Sequence, residues 1–220
     1  MNSKIALVTG ASRGLGWALA QELCVAYNII AVARTIGALE ELSDRIRAKK
    51  GHAILAPMDI TKKKSTKVLC RSIFDRWGRL DLWVHTAIHA APLTPANHIA
   101  SNDWKISLAT NVTAVSTLIT HIAPLLGNNG QAIFFEDENV IAKKFFGTYG
   151  ATKAAQIALV KSWKHETSNT GPNVYIFKPN PMPTGCRARF FPGEDKSRLS
   201  PPGAEALRLT EAFSLSTGRE

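Results

Sequence analysis

Ile5-Ala6-Leu7-Val8-Thr9-Gly10-Ala11-Ser12-Arg13-Gly14-Leu15-Gly16 is the stretch that decides the fold. Its four leading apolar residues read as a strand buried on both faces. The glycines follow as Gly-x-x-x-Gly-x-Gly. Gly10 permits a tight turn out of the strand. Gly14 lets backbone amides approach a pyrophosphate, and Gly16 lets the next helix pack closely on the sheet. That helix N-terminus offers unpaired N–H groups and a partial positive charge, which suit an anion. A bare glycine pattern is weak evidence. Here a strand precedes it, a helix from Gly14 to about Cys24 follows, and Ile29-Ile30-Ala31-Val32-Ala33 reads as a second strand. That is the context a dinucleotide-binding turn requires.

The same alternation continues outward. Ala38, Leu39, Leu42 and Ile46 recur at helical spacing, and Ala53–Ala56 is a third strand closed by Pro57. Val68, Ile73 and Trp77 predict a helix, and Leu80–Val84 the run of a fourth strand. A long helix covers roughly Asp103 to Leu126. Ala132–Phe135 is a fifth strand, Tyr149 to about Ser168 a helix, and Val174–Phe177 a sixth strand. Repeated β-then-α order predicts an α/β fold: a doubly wound, mostly parallel sheet of about six strands with helices on both faces and right-handed crossovers. Residues 1–220 read as a single domain. The segment from about 180 to 220 is a shorter loop and tail, with one helix near Gly203 to Phe213.

Composition fits this reading. The chain has 220 residues, 45% hydrophobic and 20% charged, the balance of a soluble globular protein. Cys24, Cys70 and Cys186 are scattered, which argues against a disulfide framework or a cysteine-rich metal site, so no metal is expected. No apolar run approaches the ~20 residues of a membrane span, and the N-terminus does not read as a signal peptide. The cytoplasm is the expected compartment. The 27 Lys and Arg against 17 Asp and Glu give a formal charge of +10. The clusters Lys62-Lys63-Lys64 and Arg47, Lys49, Lys50 read as solvated surface. No nucleic-acid motif accompanies them, so neither nucleic acid nor a membrane is expected as a partner.

A site for NAD usually ends the second strand with an acid for the ribose 2′-hydroxyl. Ala33 and Arg34 stand there instead, and Arg13 lies in the glycine loop. Two guanidinium groups and no acid suit a 2′-phosphate, which predicts NADP(H) over NAD. Further on comes Tyr149-Gly150-Ala151-Thr152-Lys153. A Tyr and a Lys four apart share one helix face. An ammonium there favours the phenolate and lowers the Tyr pKa, tuning it as a general acid or base toward an alcohol/carbonyl pair.

With Thr9-Gly10-x-x-x-Gly14-x-Gly16, Asp59-Ile60 after the third strand, Asn111 in the long helix and Tyr149-x-x-x-Lys153, the chain resembles the short-chain dehydrogenase/reductase family, over about residues 4 to 185. The resemblance implies a Rossmann fold and an oxidoreductase acting on a small molecule as a homo-oligomer. It implies Tyr149 as the catalytic acid/base, Lys153 on the nicotinamide ribose, and Asn111 supporting a proton-relay water. It places Gly10, Ser12, Arg13, Gly14, Leu15, Gly16, Arg34, Asp59, Ile60, Ala87, Pro179 and Thr184 at the cofactor with Tyr149 and Lys153. Asp59 and Ile60 would flank the adenine, and Thr184 the nicotinamide carboxamide.

The sequence also departs from that family. Its catalytic Ser, about 13 residues before the Tyr, corresponds to Glu136 in Glu136-Asp137-Glu138. An ionised carboxylate only accepts hydrogen bonds. Glu136 is therefore either a protonated donor, which needs burial, or part of a solvated loop. Asn-Asn-Ala-Gly after the fourth strand is replaced by His85-Thr86-Ala87-Ile88, where Ile88 would crowd the cofactor and His85 reads as structural. Pro-Gly after the sixth strand becomes Pro179-Asn180, with Asn tolerating a positive φ. Gly185 to about Ser200, with Arg187, Arg189, Phe190 and Phe191, reads as ordinary loop, the alternative being that these residues favour an acidic or aromatic substrate. Ser216-Thr217-Gly218 reads as the approach to a seventh strand, and the tail from Pro201 as cover for an exposed sixth strand. The leading expectation is a hydride-transferring oxidoreductase using NADP(H). The alternative is a catalytically impaired NADP(H)-binding sensor or scaffold.

Overall fold

Alternate side chains of one central strand feed two cores. In β1 (Lys4–Thr9), Ala6 and Val8 point to one face of the sheet and Ile5 and Leu7 to the other. In β2 (Tyr27–Ala33), Ile29 and Ala31 join the first core and Ile30 and Val32 the second. Apolar residues at every position are therefore what these strands need, since both faces are covered. The computed structural model describes residues 4–213.

β1 and β2 are followed by β3 (Ala53–Pro57), β4 (Leu82–His85), β5 (Gln131–Phe135) and β6 (Asn173–Phe177). All neighbours pair in parallel, in the order β3-β2-β1-β4-β5-β6. The order reverses between β1 and β4, and ligands bind such sheets at the carboxyl ends of the strands flanking this switch point. β3 is an edge, which explains its half-buried residues and tolerates Pro57 at its end.

Among the described residues, the helices are α1 (Gly14–Leu23), α2 (Ile36–Ala48), α3 (Lys63–Trp77), α4 (Ser101–Leu108), α5 (Ala114–Leu126), α6 (Gly147–Glu166), α7 (Gly185–Phe190) and α8 (Pro202–Ala212). Leu15 and Leu19 of α1, Leu39 and Leu42 of α2, and Leu209 of α8 pack on one face. Ile73 of α3, Leu118 and Ile122 of α5, and Val160 and Trp163 of α6 pack on the other. There Trp83 stands edge-on to Phe134 at 5.0 Å between centroids.

Several expectations change. α3 exists, but Val68 is 59% exposed while Thr66, Cys70 and Ile73 face the core. The long helix is interrupted by a π-helical turn, Ala109–Thr113, between α4 and α5. The combined run Ser101–Leu126 spans 26 residues, and its most apolar window has a mean hydropathy of 1.3. By length and composition that combined run would pass for a membrane span, although Thr110, Asn111, Thr113, Ser116 and Thr117 break it into shorter apolar stretches. Its apolar residues Val115, Leu118 and Ile122 are instead spent on the core. The loop from Gly185 contains a helix, α7. α8 covers one face of the sheet, not its edge, and Phe213 beyond it stacks on Tyr175 at 4.6 Å. Ser216-Thr217-Gly218, read as the approach to a further strand, lies outside the described residues.

Candidate functional site

The carboxyl ends of the strands open into one cavity of about 660 Å³, within the size range of small-molecule and cofactor sites. Its floor is the glycine turn. Gly10 has φ +91, a conformation that L side chains rarely adopt, and a Cβ there would lie 2.6 Å from the Ala87 nitrogen. Gly16 faces Thr86, whose hydroxyl donates to the Thr9 carbonyl at 2.9 Å and the Gly10 carbonyl at 3.2 Å. A Cβ on Gly16 would run into that hydroxyl and the Gly10 carbonyl. Gly16→Ala is therefore expected to cost about 1–3 kcal/mol through forced backbone shifts, seen as a lowered urea midpoint. A wild-type midpoint would show that α1 is free to back away from the sheet. α1 begins at Gly14 with no side-chain cap, so its first-turn N–H groups remain available at the cavity wall.

Ser12, Arg13, Gly14, Leu15, Arg34, Asp59 and Ile60 line the same cavity. Burial pushes the Asp59 carboxyl up, but the Thr61 N–H and hydroxyl, helped by the Arg34 and Lys62 charges, bring it below its ordinary value. Asp59 is thus an anion fixed in a turn beside Arg34. Ala87 forms the wall against Gly10, and Ile88 packs with Val140, Phe146, Tyr149 and Phe190 while keeping a place on the cavity lining. His85 is buried, with Nδ1 2.8 Å from Thr9 Oγ1. Burial and the Lys153 charge push it down to about 3, so it is neutral near pH 7 and unsuited to shuttling protons there.

Tyr149 and Lys153 rise from the first turns of α6 onto the cavity wall. The expected lowering of the Tyr149 pKa does not appear. Burial pushes it well above 10, reinforced by Cys186, which shares its hydrogen bond, and by the Asp137 charge. Burial brings Lys153 down to about 8, opposed by Asp137, Cys186 and Glu136. The ammonium donates to Gln156 Oε1 at 2.7 Å. Asn111 lies in the π-helical turn, buried behind the wall. Its Oδ1 accepts the His89 N–H at 2.7 Å, and its Nδ2 donates to the His89 carbonyl at 2.9 Å and Thr152 Oγ1 at 3.0 Å. That side chain staples the loop after β4 to α6.

The three consecutive acids separate. Glu136 accompanies Lys161, 3.7 Å away, and Glu138 pairs with Lys178 at 2.8 Å on the surface. Asp137 borders the cavity. The opposite wall is α7, capped by Thr184, whose hydroxyl accepts the Arg187 N–H at 3.3 Å. Arg189 ties α7 to the Ala90 carbonyl at 2.7 Å, and Phe190 packs 4.8 Å from the Tyr149 ring. Pro179 and Asn180 reach the cavity from β6. Asn180 does not adopt a left-handed conformation. Glu205 of α8 instead accepts its N–H at 2.9 Å and its amide at 2.8 Å.

Every residue expected at the cofactor thus borders one cavity, together with Tyr149 and Lys153, while Asn111 stands one layer behind. Sequence reasoning missed Thr86, Gln156, Cys186 and Glu205. Only Cys186 carried a local signal, lying two residues after Thr184. The others act through partners far away in the chain.

A family model for short chain dehydrogenases matches residues 4–195. An uncharacterized oxidoreductase of Listeria monocytogenes is 27% identical over 179 residues, covering 79% of this chain and 71% of the relative. Two solved structures share the fold. A short-chain type dehydrogenase/reductase from Mycobacterium ulcerans aligns with a TM-score of 0.85 at 22% identity, covering 99% of this chain and 84% of the other. A metagenomic short-chain oxidoreductase in complex with NADP aligns with a TM-score of 0.83 at 21% identity, covering 99% and 92%.

Proposed function

Because the chain belongs to the short-chain dehydrogenase family, we propose that it is an oxidoreductase that uses NADPH to reduce the carbonyl of a small molecule, or reverses that step. The observation that carries this reading is the convergence of Tyr149 and Lys153 with the glycine cradle on one cavity. The cradle fits a dinucleotide: Gly10 and Gly16 let the turn and the start of α1 pack directly on Thr86 and Ala87, a Cβ on Gly14 would reach to 3.3 Å from Thr184 on the cavity lining, and the uncapped start of α1 suits a pyrophosphate. When bound, the nicotinamide supplies the hydride. Arg13 and Arg34 would hold the 2′-phosphate, Lys153 the nicotinamide ribose, and Thr184 the carboxamide.

Tyr149 holds its proton through the neutral range, which is the form that donates to a carbonyl oxygen. The family's Ser is replaced by Glu136, so the phenol works without a neighbouring hydroxyl. Phe190, Phe191, Ile88 and Val140 around it favour an apolar substrate body. Exposed Trp104 and Ile106 on α4 support self-association as part of the same reading.

Fluorescence titration with NADPH and with NADH is the direct test. NADPH should bind far more tightly, and failure of both to bind would overturn the reading. Arg34→Asp should weaken NADPH by about tenfold to a hundredfold, the worth of one charge-assisted hydrogen bond, with little effect on NADH. An equal loss for both would remove Arg34 from phosphate recognition.

A further inference from the structure

Gln156 stands three residues beyond Lys153 on α6 and is 1% exposed. A buried primary amide is costly unless its carbonyl and its NH₂ both find partners. Here both do. Oε1 accepts from the Lys153 ammonium at 2.7 Å, and Nε2 donates to the Asn111 carbonyl at 3.0 Å. The π-helical turn Ala109–Thr113 presents that carbonyl, while the Asn111 side chain is already committed to His89 and Thr152. Lys153 is thereby tied through a single amide to the backbone between α4 and α5.

We propose that Gln156 is a positioning residue for Lys153, its amide bridging the ammonium and the Asn111 carbonyl. The amide is anchored covalently and offers Lys153 one acceptor in one orientation. The remaining ammonium hydrogens are left to the cavity, where Tyr149 of α6, Glu136 and Asp137 after β5, Cys186 of α7 and His85 at the end of β4 surround the charge. The role of Lys153 at the cofactor rests on the function proposed above. The bond to Gln156 does not.

The test reads Lys153 itself, with neither cofactor nor substrate. Protein labelled with ¹³C at lysine Cε is titrated by NMR, and the Lys153 signal is assigned by its loss in Lys153→Arg. Gln156→Glu, nearly isosteric, sets a carboxylate against the ammonium and should raise the Lys153 midpoint by at least one pH unit. Gln156→Leu removes the acceptor and should lower the midpoint by about half a unit or more. If the leucine variant does not fold, the glutamate variant alone decides. A Lys153 midpoint in Gln156→Glu within about 0.2 units of wild type would overturn the proposal and leave Gln156 as packing. Because no NADPH is present, failure of the proposed function leaves this result readable.

Discussion

Tyr149→Phe is expected to lower turnover at least a hundredfold while NADPH binds as before. A positioned general acid contributes about 10²–10⁴ in rate, and this substitution removes only the hydroxyl. The ring stays 7% exposed against Phe190, so the core around it keeps its volume and the variant should fold normally. The cradle at Gly10–Gly16 and the arginines at the adenine end are separate from that hydroxyl, which is why binding should persist. Wild-type activity should fall as pH rises through about 8, where Lys153 gives up its proton, while Tyr149 stays protonated. Steady-state kinetics with NADPH and a panel of apolar ketones and aldehydes checks both points. Turnover unchanged in Tyr149→Phe would sink the assignment of the proton donor. The next candidate is then the Cys186 thiol, which shares the Tyr149 hydrogen bond, and Cys186→Ala would test it.

The cofactor half of this site is legible in the sequence because its constraints are local. A turn at φ +91 with backbone against Ala87 calls for Gly10 whatever the rest of the chain does. Strands buried on both faces likewise announce themselves as unbroken apolar runs, and all six strands match within two residues at either end. Periodicity fails where one residue type fits two places. In α3, Val68 satisfies the helical pattern and yet points to solvent, while Thr66 takes a buried position. Spacing places Tyr149 and Lys153 on one face but carries no information on their electrostatics. Burial, reinforced by Cys186 of α7 and by Asp137 in the loop after β5, reverses the direction expected for the phenol. Thr86 with Gly10, Gln156 with Asn111 and Glu205 with Asn180 pair residues far apart in sequence, and only the folded chain shows them.

The last of those pairs should govern stability. Glu205 is 2% exposed, and its carboxylate accepts five hydrogen bonds: two from Asn180, one from Ser200 and two from Arg208. Arg208 also lies 4.3 Å over the Phe177 ring and donates to the Lys178 carbonyl at 2.9 Å, so the cluster locks α8 to the end of β6. Burial alone would raise the Glu205 pKa, but Arg208, Asn180 and Ser200 outweigh it and bring it to about 2. Glu205→Gln is expected to cost about 3 kcal/mol at pH 7. Breaking a buried pair costs about 3–5 kcal/mol, and the half-exposed Arg208 places this one at the lower end because its charge can return to water. For a chain of this size that is roughly a 6–12 °C fall in Tm. The folded pKa lies below the ordinary 4.5, so this stabilisation is fully present above about pH 4.5 and drains away as pH falls toward 2. Urea unfolding of wild type and variant should therefore show a gap that is widest at neutral pH and narrows below pH 4.5. A gap independent of pH would mean that shape, not charge, is what Glu205 contributes. The consequence also reaches the site. Asn180 adjoins Pro179 on the cavity wall, and the turn there depends on Glu205 instead of on a glycine. In Glu205→Gln, NADPH affinity should fall along with stability. A stability loss with NADPH affinity intact would show that α8 holds the fold together without shaping the cofactor loop.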